Sequence, residues 1–318
     1  MNCTISALRW VNQSKTKIEN LPDGLTLFWC GYNQITKIEN LPDTLTEFDC
    51  GYNQIPKIEN LPETLIKFFC DNNQITKIEN LPDALTGFYC SGNQITKIEN
   101  LPDALTGFYC SGNQITKIEN LSHALTTFDC EDNRITKIEN LPDTLTVFSC
   151  GGNQIIKIEN LPETLTTFDC EDNQITKIEN LSDTLTVFSC GGNQIIKIEN
   201  LPIALTGFYC SGNQITKIEN LPKTLRYFAF KDNPITYVDN IPIAWWDQRG
   251  GFDLKKYNII KRLQRRMKIR FTIKNNKAKV IQKGCHNWLW STRCRDSSIG
   301  IVLRLNLKLL KDEGLLRD

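Results

Sequence analysis

The stretch LPDALTGFYCSGNQITKIEN, residues 81–100, decides the fold, because it recurs without a single change at residues 101–120. Residues 21–240 divide into eleven such 20-residue units with no insertion or deletion, and residues 1–20 form a degraded leading unit. A strict period of this length indicates a repeat protein, in which each coil buries its apolar face only by stacking on its neighbours. Positions within a unit are numbered 1 to 20 below.

Apolar residues recur at positions 1, 5, 8, 10, 15 and 18, which in residues 41–60 are Leu41, Leu45, Phe48, Cys50, Ile55 and Ile58. Positions 8 and 10 alternate with the variable positions 7, 9 and 11, which is the period-2 pattern of a half-buried strand. Twenty residues leave little room for a helix after that strand. The sequence therefore predicts a β-rich solenoid with one short parallel strand in each coil.

Position 13 is Asn in all eleven units, so positions 5 to 15 read L-x-x-F-x-C-x-x-N-x-I. This resembles the leucine-rich repeat pattern L-x-x-L-x-L-x-x-N-x-L over about 220 of the 318 residues. The unit length and the Leu-Pro opening are similar to the short repeats of bacterial effector proteins, and the near-identical copies to repeat arrays of giant DNA viruses. The resemblance implies a right-handed superhelix.

The charge of the chain is unevenly distributed along it. The total is +1, but residues 251–318 hold 18 Lys+Arg against 5 Asp+Glu, which leaves 19 against 31 in residues 1–250. The neutral total therefore combines an acidic array with a basic tail. We predict three segments: a degenerate N-terminal repeat or cap at 1–20, eleven leucine-rich repeats at 21–240, and a C-terminal cap with a basic segment at 241–318.

Several columns of identical residues are predicted to be structural. Ten cysteines, from Cys30 to Cys210 in steps of 20, lie one coil apart rather than converging on one point, so buried thiols are favoured over metal ligands or disulfides. The Asn at position 13 is expected to bond the backbone between coils. Lys at position 17 and Glu at position 19 are expected to form a solvated edge.

The outward positions 7, 9, 11 and 12 vary between units and are predicted to line a concave face. Exposed aromatic residues in the first half favour a protein contact, and two acidic clusters favour a basic partner. The alternative is variation within a duplicated array that binds no partner. The candidate partner-binding residues are Trp29, Tyr32, Tyr52, Phe69, Tyr89, Tyr109, Asp129, Glu131, Asp132, Asp169, Glu171, Asp172 and Tyr209.

No pattern typical of a catalytic site, a phosphate-binding loop or a metal site is present, so we predict a non-enzymatic protein without cofactor or metal. Cys294-Arg295-Asp296 matches the Cys-x-Asp of the ubiquitin ligase domain in bacterial leucine-rich effectors. That domain is several times longer than the tail, which makes a ligase the remote alternative. The chain lacks a recognisable secretory signal and any apolar run of about 20 residues, so we expect an intracellular protein.

The basic tail carries the main alternative function. The run KKYNIIKRLQRRMKIRF, residues 255–271, places apolar residues at helical spacing among cations, and residues 301–309 alternate as in a strand, which predicts a small α/β segment. Its helix is a cap with a solvated face, or it binds nucleic acid, an anionic membrane surface, a calmodulin-like partner, or the acidic array of its own or a neighbouring chain. The cations concerned are Lys261, Arg262, Arg265, Arg266, Lys268 and Arg270.

Overall fold

The structure, a computed structural model, describes residues 6–235 and 237–238. These residues form fourteen short strands in chain order, and the described part contains no helix. The strands are β1 Ala7–Arg9, β2 Leu27–Trp29, β3 Glu47–Asp49, β4 Lys67–Phe69, β5 Gly87–Tyr89, β6 Gly107–Tyr109, β7 Thr127–Asp129, β8 Val147–Ser149, β9 Thr167–Asp169, β10 Val187–Ser189, β11 Gly207–Tyr209, β12 Lys217–Ile218, β13 Tyr227–Ala229 and β14 Tyr237–Val238.

Twelve strands form one parallel sheet in the order β1 to β11 followed by β13. Each strand occupies positions 7 to 9 of its coil and pairs with the same positions of the next, so that Phe48 lies opposite Phe68. Strands β12 and β14 pair in a separate two-stranded sheet at positions 17 and 18. The predicted solenoid of short parallel strands is confirmed, and the leading unit contributes its own strand, β1, to the sheet.

The core is built from columns of like residues. Phenylalanines at position 8, from Phe28 to Phe228, stack on one another with ring centroids 5.4–5.8 Å apart. Trp10 packs edge-on against Phe28 at 5.1 Å and covers the first ring of this column. The leucine at position 5 is also buried in every unit, and the isoleucine at position 15 is buried from Ile35 to Ile215. Each coil thus supplies the apolar surface that the next coil needs.

One detail of the predicted core is different in the structure. The leucine at position 1 is only half-buried in ten of the eleven units, whereas the proline or serine at position 2 is buried from residue 62 onward. The reason lies in the residue before it. The Asn at position 20 has a left-handed backbone in every unit from Asn20 to Asn220, and this turns the chain just before the leucine. In three units its side-chain amide also bonds a carbonyl of the preceding coil.

The asparagine and cysteine columns have the structural roles that the sequence predicts. The Asn133 amide donates to the carbonyls of Cys130, Cys110 and Glu131 at 2.9–3.1 Å, and its oxygen accepts the N–H of Ile115 at 2.9 Å. The ten thiols are buried and unbridged. Burial is the main cause that raises the pKa of each, from Cys30 to Cys210, above the ordinary value, so these thiols are protonated and unreactive.

The lysines at position 17 and glutamates at position 19 form nine ion pairs within their own coils, all at the surface. The predicted solvated edge is confirmed. No helix in the described part of the chain is long and apolar enough to cross a membrane. The predictions for residues 241–318, including Lys261, Arg262, Arg265, Arg266, Lys268 and Arg270, lie outside the described residues.

Candidate functional site

The candidate site is the outward surface of the twelve-stranded sheet and of the turn that follows each strand. We call the side chains at positions 7, 9, 11 and 12 of all coils the sheet face. Because successive strand residues point to opposite sides, Phe128 at position 8 is buried while its neighbours Thr127 and Asp129 are partly exposed. The sheet face carries ten acidic side chains, Glu47, Asp49, Asp71, Asp129, Glu131, Asp132, Asp169, Glu171, Asp172 and Asp232, against the basic Arg9, Lys67 and Lys231.

Backbone conformation restricts position 12 more than the sequence alone suggests. This residue has a left-handed backbone in every unit, with φ between 49° and 67°. Glycine, asparagine and aspartate tolerate this conformation, and they fill the position in nine of the eleven units. The other two units carry Tyr32 and Tyr52, whose rings stack at 4.2 Å with an interplanar angle of 8°. Their side chains are 53% and 46% exposed.

A second aromatic column lies at position 9. The rings of Phe69 and Tyr89 stack at 4.3 Å, and those of Tyr89 and Tyr109 at 4.5 Å. A Cβ on Gly87 would lie 3.3 Å from the ring of Tyr89, so glycine at position 7 makes room for the tyrosine two residues later. The same pairing recurs at Gly107 with Tyr109 and at Gly207 with Tyr209.

Two of the predicted aromatic residues stand apart from this column. Trp29 pairs in the sheet with Asp49, which separates it from Phe69, and its indole N–H donates to Glu47 at 3.0 Å. Tyr209 lies five coils from Tyr109, between Ser189 and Ala229. The sheet face therefore has an aromatic region in its N-terminal half, while Tyr209 and Tyr227 lie near its other end.

The two acidic triplets come together as one group, which we call the acidic cluster: Asp129, Glu131, Asp132, Asp169, Glu171 and Asp172. The coil between them carries Gly151 and Gly152 at positions 11 and 12. A Cβ on Gly151 would lie 3.6 Å from Oδ1 of Asp169 and 3.8 Å from Cγ of Glu131. The glycines thus leave the space into which the carboxyl groups of both neighbouring coils extend.

Crowding and partial burial disfavour ionisation within the acidic cluster. Burial, followed by the charges of Asp129, Asp169, Asp132 and Glu171, raises the pKa of Glu131 to about 7. Burial also raises the pKa of Asp169 to about 6, although the N–H of Glu171 donates to its Oδ1 at 2.9 Å.

The polar partners of the acidic cluster are neutral groups. The hydroxyl of Ser111 bonds Asp129, and the hydroxyl of Ser189 bonds Glu171. Every ion pair between described residues joins a lysine at position 17 to a glutamate at position 19, so within this part of the chain no cation pairs with the cluster. The described residues also contain no group of three or more potential ligands arranged to hold a metal ion. Among the described residues, therefore, no ion pair compensates the negative charge of the cluster.

Sequence reasoning missed Asp49 beside the two tyrosines at position 12. Its Oδ1 accepts the N–H of Gly51 at 2.9 Å, and a Cβ on Gly31 would lie 3.6 Å from the same oxygen. The carboxylate therefore lies over the residues that directly precede Tyr32 and Tyr52. Partial burial raises its pKa. Its position could have been inferred from the glycine at position 11 in both units.

The parallel strands, one in each 20-residue coil, and the buried asparagine column define a leucine-rich repeat solenoid. No protein-family model and no curated protein matches the sequence. Solved structures share the fold. YopM from Yersinia enterocolitica is 24% identical with a TM-score of 0.70, and the match covers 73% of this chain and 52% of that protein. The chain therefore spans about half the length of YopM from that organism.

Two further structures give the same result. YopM from Yersinia pestis, a leucine-rich effector protein, is 20% identical with a TM-score of 0.52, over 76% of this chain and 87% of that one. The functional domain of InlJ from Listeria monocytogenes, which includes a cysteine ladder, is 24% identical with a TM-score of 0.53. That match covers 73% of this chain and 64% of the InlJ domain. These likenesses establish the leucine-rich repeat fold.

Proposed function

We propose that this chain is a non-enzymatic scaffold that binds a protein partner through the sheet face, the surface that the sequence predicts to be concave. The observation that carries the proposal is the contrast along each strand. Position 8 is phenylalanine in all eleven units, whereas positions 7 and 9 on the opposite side vary. Solenoids present such a surface as one extended binding face, because every coil adds a strand to the same sheet.

The charge of the sheet face indicates a basic partner. Its carboxylates outnumber its cations by ten to three, and the acidic cluster pairs with no lysine or arginine of the described part. A positively charged segment would complement this surface and would be steered towards it. The same charge disfavours nucleic acid on this face. Stacked tyrosines in the N-terminal half add the rigid amphipathic area that protein contacts favour.

A variant built from the repeat's own residues tests the proposal without disturbing the fold. The face residues of the acidic coils are replaced by those of the coil between them, with Asp129→Ser, Glu131→Gly, Asp132→Gly, Asp169→Ser, Glu171→Gly and Asp172→Gly. Full-length protein and variant are immobilised, and proteins captured from cells are identified by mass spectrometry. We expect partners with basic segments to be retained by the natural chain and lost from the variant.

The matched control changes charges on the other surface, with Lys137→Ala, Lys157→Ala and Lys177→Ala. These lysines lie in the solvated edge and not on the sheet face. We expect the control to capture the same proteins as the natural chain. The proposal is wrong if the sheet-face variant retains the full set of captured proteins, or if the control loses that set to the same extent.

A further inference from the structure

Tyr32 and Tyr52 occupy a backbone conformation that does not suit them. Their φ values of 57° and 55° bring Cβ close to the following carbonyl, a cost that glycine avoids and that asparagine and aspartate reduce. Units with Gly92, Gly112 or Asn72 at this position form the same turn. The turn therefore does not need tyrosine. The backbone strain is the cost of placing there a side chain that the fold does not require.

Neither side chain contributes to the core. Both project from the sheet face with about half of their surface exposed, and their ring contact is with each other. Stacking offsets part of the backbone strain but leaves the outer edges of the pair in water. Strained residues whose side chains remain exposed are typical of a binding surface rather than of a structural position.

The group beside the tyrosines is a carboxylate. Asp49 lies next to Gly31 and Gly51, the residues directly before the two tyrosines, and no cation of the described residues forms an ion pair with it. Arg9 is within electrostatic reach but forms no such pair. A hydrogen bond with Tyr52 raises the pKa of Tyr32, and burial and the charges of Tyr52 and Asp49 add to this. Aromatic rings next to a partly buried carboxylate match a guanidinium group, which stacks on rings and donates to carboxylate oxygens.

We propose that Tyr32 and Tyr52, together with Asp49, bind an arginine side chain in an exposed segment of a protein partner. The inference deepens the proposed function, because it assigns one anchoring contact within the sheet face and a chemical group of the partner. A separate consequence of the backbone strain is that the two tyrosines lower the stability of the repeat array.

The binding test uses a blocked pentapeptide, Gly-Arg-Gly-Arg-Gly, and its citrulline counterpart, which has the same shape without the charge. Because the acidic cluster also attracts cations, the background is the sheet-face variant described above. Calorimetric titration should show that this background binds the arginine peptide. We expect affinity to fall about tenfold for the citrulline peptide, and about tenfold when Tyr32→Asn and Tyr52→Asn are added. The control pair Tyr32→Phe and Tyr52→Phe keeps the rings and should retain most of the affinity.

The stability test is independent of any ligand. In the otherwise natural chain, the two asparagine substitutions should raise the midpoint of thermal unfolding by about 2–4 °C, because asparagine tolerates the left-handed backbone. The phenylalanine pair should leave the midpoint unchanged. A lower midpoint in the asparagine variant would show that the tyrosines stabilise the fold and would overturn the inference.

The remaining outcomes separate the inference from the proposed function. The inference is also overturned if the background does not bind the arginine peptide, if the citrulline peptide binds equally well, or if the asparagine pair leaves the affinity unchanged. None of these results contradicts the proposed function, provided that the natural chain captures partners with basic segments and the sheet-face variant loses them.

Discussion

The two sides of the twelve-stranded sheet differ in how much they vary. On the inner side, Phe28 to Phe228 repeat without change and stack at 5.4–5.8 Å. On the outer side, the next residue along each strand, at position 9, differs between coils; examples are Trp29, Asp49, Phe69, Ser149 and Ala229. The two sides share a backbone, so the difference comes from their surroundings and not from local structure.

The inner side is uniform because each coil forms the environment of the next. A side chain at position 8 has to fit against a copy of itself on both sides, and a change in one coil alters the packing of three. The outer side has no such restriction, since its side chains contact water and only partly one another. Residues on the outer side are therefore free to serve a partner, and the following predictions test how complete this separation is.

The largest effect is expected from Phe128→Ala. The ring is fully buried between Phe108 and Phe148, so its removal leaves a cavity in the middle of the column. We expect the free energy of unfolding in urea to fall by about 3–5 kcal/mol. The neighbouring change Thr127→Ala, on the outer side of the same strand, should stay within about 0.5 kcal/mol. Equal losses for both variants would contradict the separation of the two sides.

Asn133→Ala should have the next largest effect. It removes three bonds donated to carbonyls, each of which keeps another donor, and it takes from the buried N–H of Ile115 the acceptor that this group has in the structure. We expect a loss of about 2–4 kcal/mol and faster hydrogen exchange at Ile115. The matched change Asn233→Ala removes equivalent bonds in a coil where the residue is only half-buried, so water can replace them. A smaller loss there would show that burial, and not the number of bonds, sets the cost.

The inner side could be predicted almost completely from the sequence, because it depends on periodicity. An exact 20-residue repeat fixes the register, as the opposition of Phe48 and Phe68 confirms. Alternation at positions 8 and 10 then identifies the strand and its buried side. The exception, the half-buried leucine at position 1, depends on the backbone angle of the preceding asparagine, and periodicity does not encode that angle.

The sheet face could be predicted only as a set of outward positions. The sequence identifies the acidic triplets, but not that Gly151 lets Glu131 and Asp169 extend into the same space. The strain at Tyr32 and Tyr52 follows from φ values that single-sequence patterns do not contain, although glycine, asparagine and aspartate at the other nine copies were a usable signal. Partner binding by the thirteen candidate residues remains a prediction.

The smallest effect concerns the acidic cluster and depends on pH. The folded-state pKa of Glu131 is about 7, above its value in an unfolded chain, so the folded protein binds the proton more tightly. Stability should therefore rise as pH falls from about 7.5 to 5, where the carboxyl group becomes neutral in the folded state but stays charged in the unfolded one. Because Glu131 is partly exposed, solvent screening reduces the expected gain to roughly 1 kcal/mol.

Glu131→Gln removes the contribution of Glu131 to this dependence, since glutamine keeps the shape without the charge that Asp129, Asp169, Asp132 and Glu171 repel. We expect the variant to be more stable than the natural chain at pH 7.5 and to respond less to acidification, as measured by urea denaturation across this pH range. The control Glu159→Gln, on the solvated edge, should leave the slope of stability against pH unchanged in this range, because the hydrogen bond and the charge of Lys157 lower the pKa of Glu159. An unchanged slope in Glu131→Gln would mean that the cluster is better solvated than its crowding indicates. The acidic residues of the outer side would then not lower the stability of the fold. The destabilising residues of the sheet face would be Tyr32 and Tyr52, through their backbone strain.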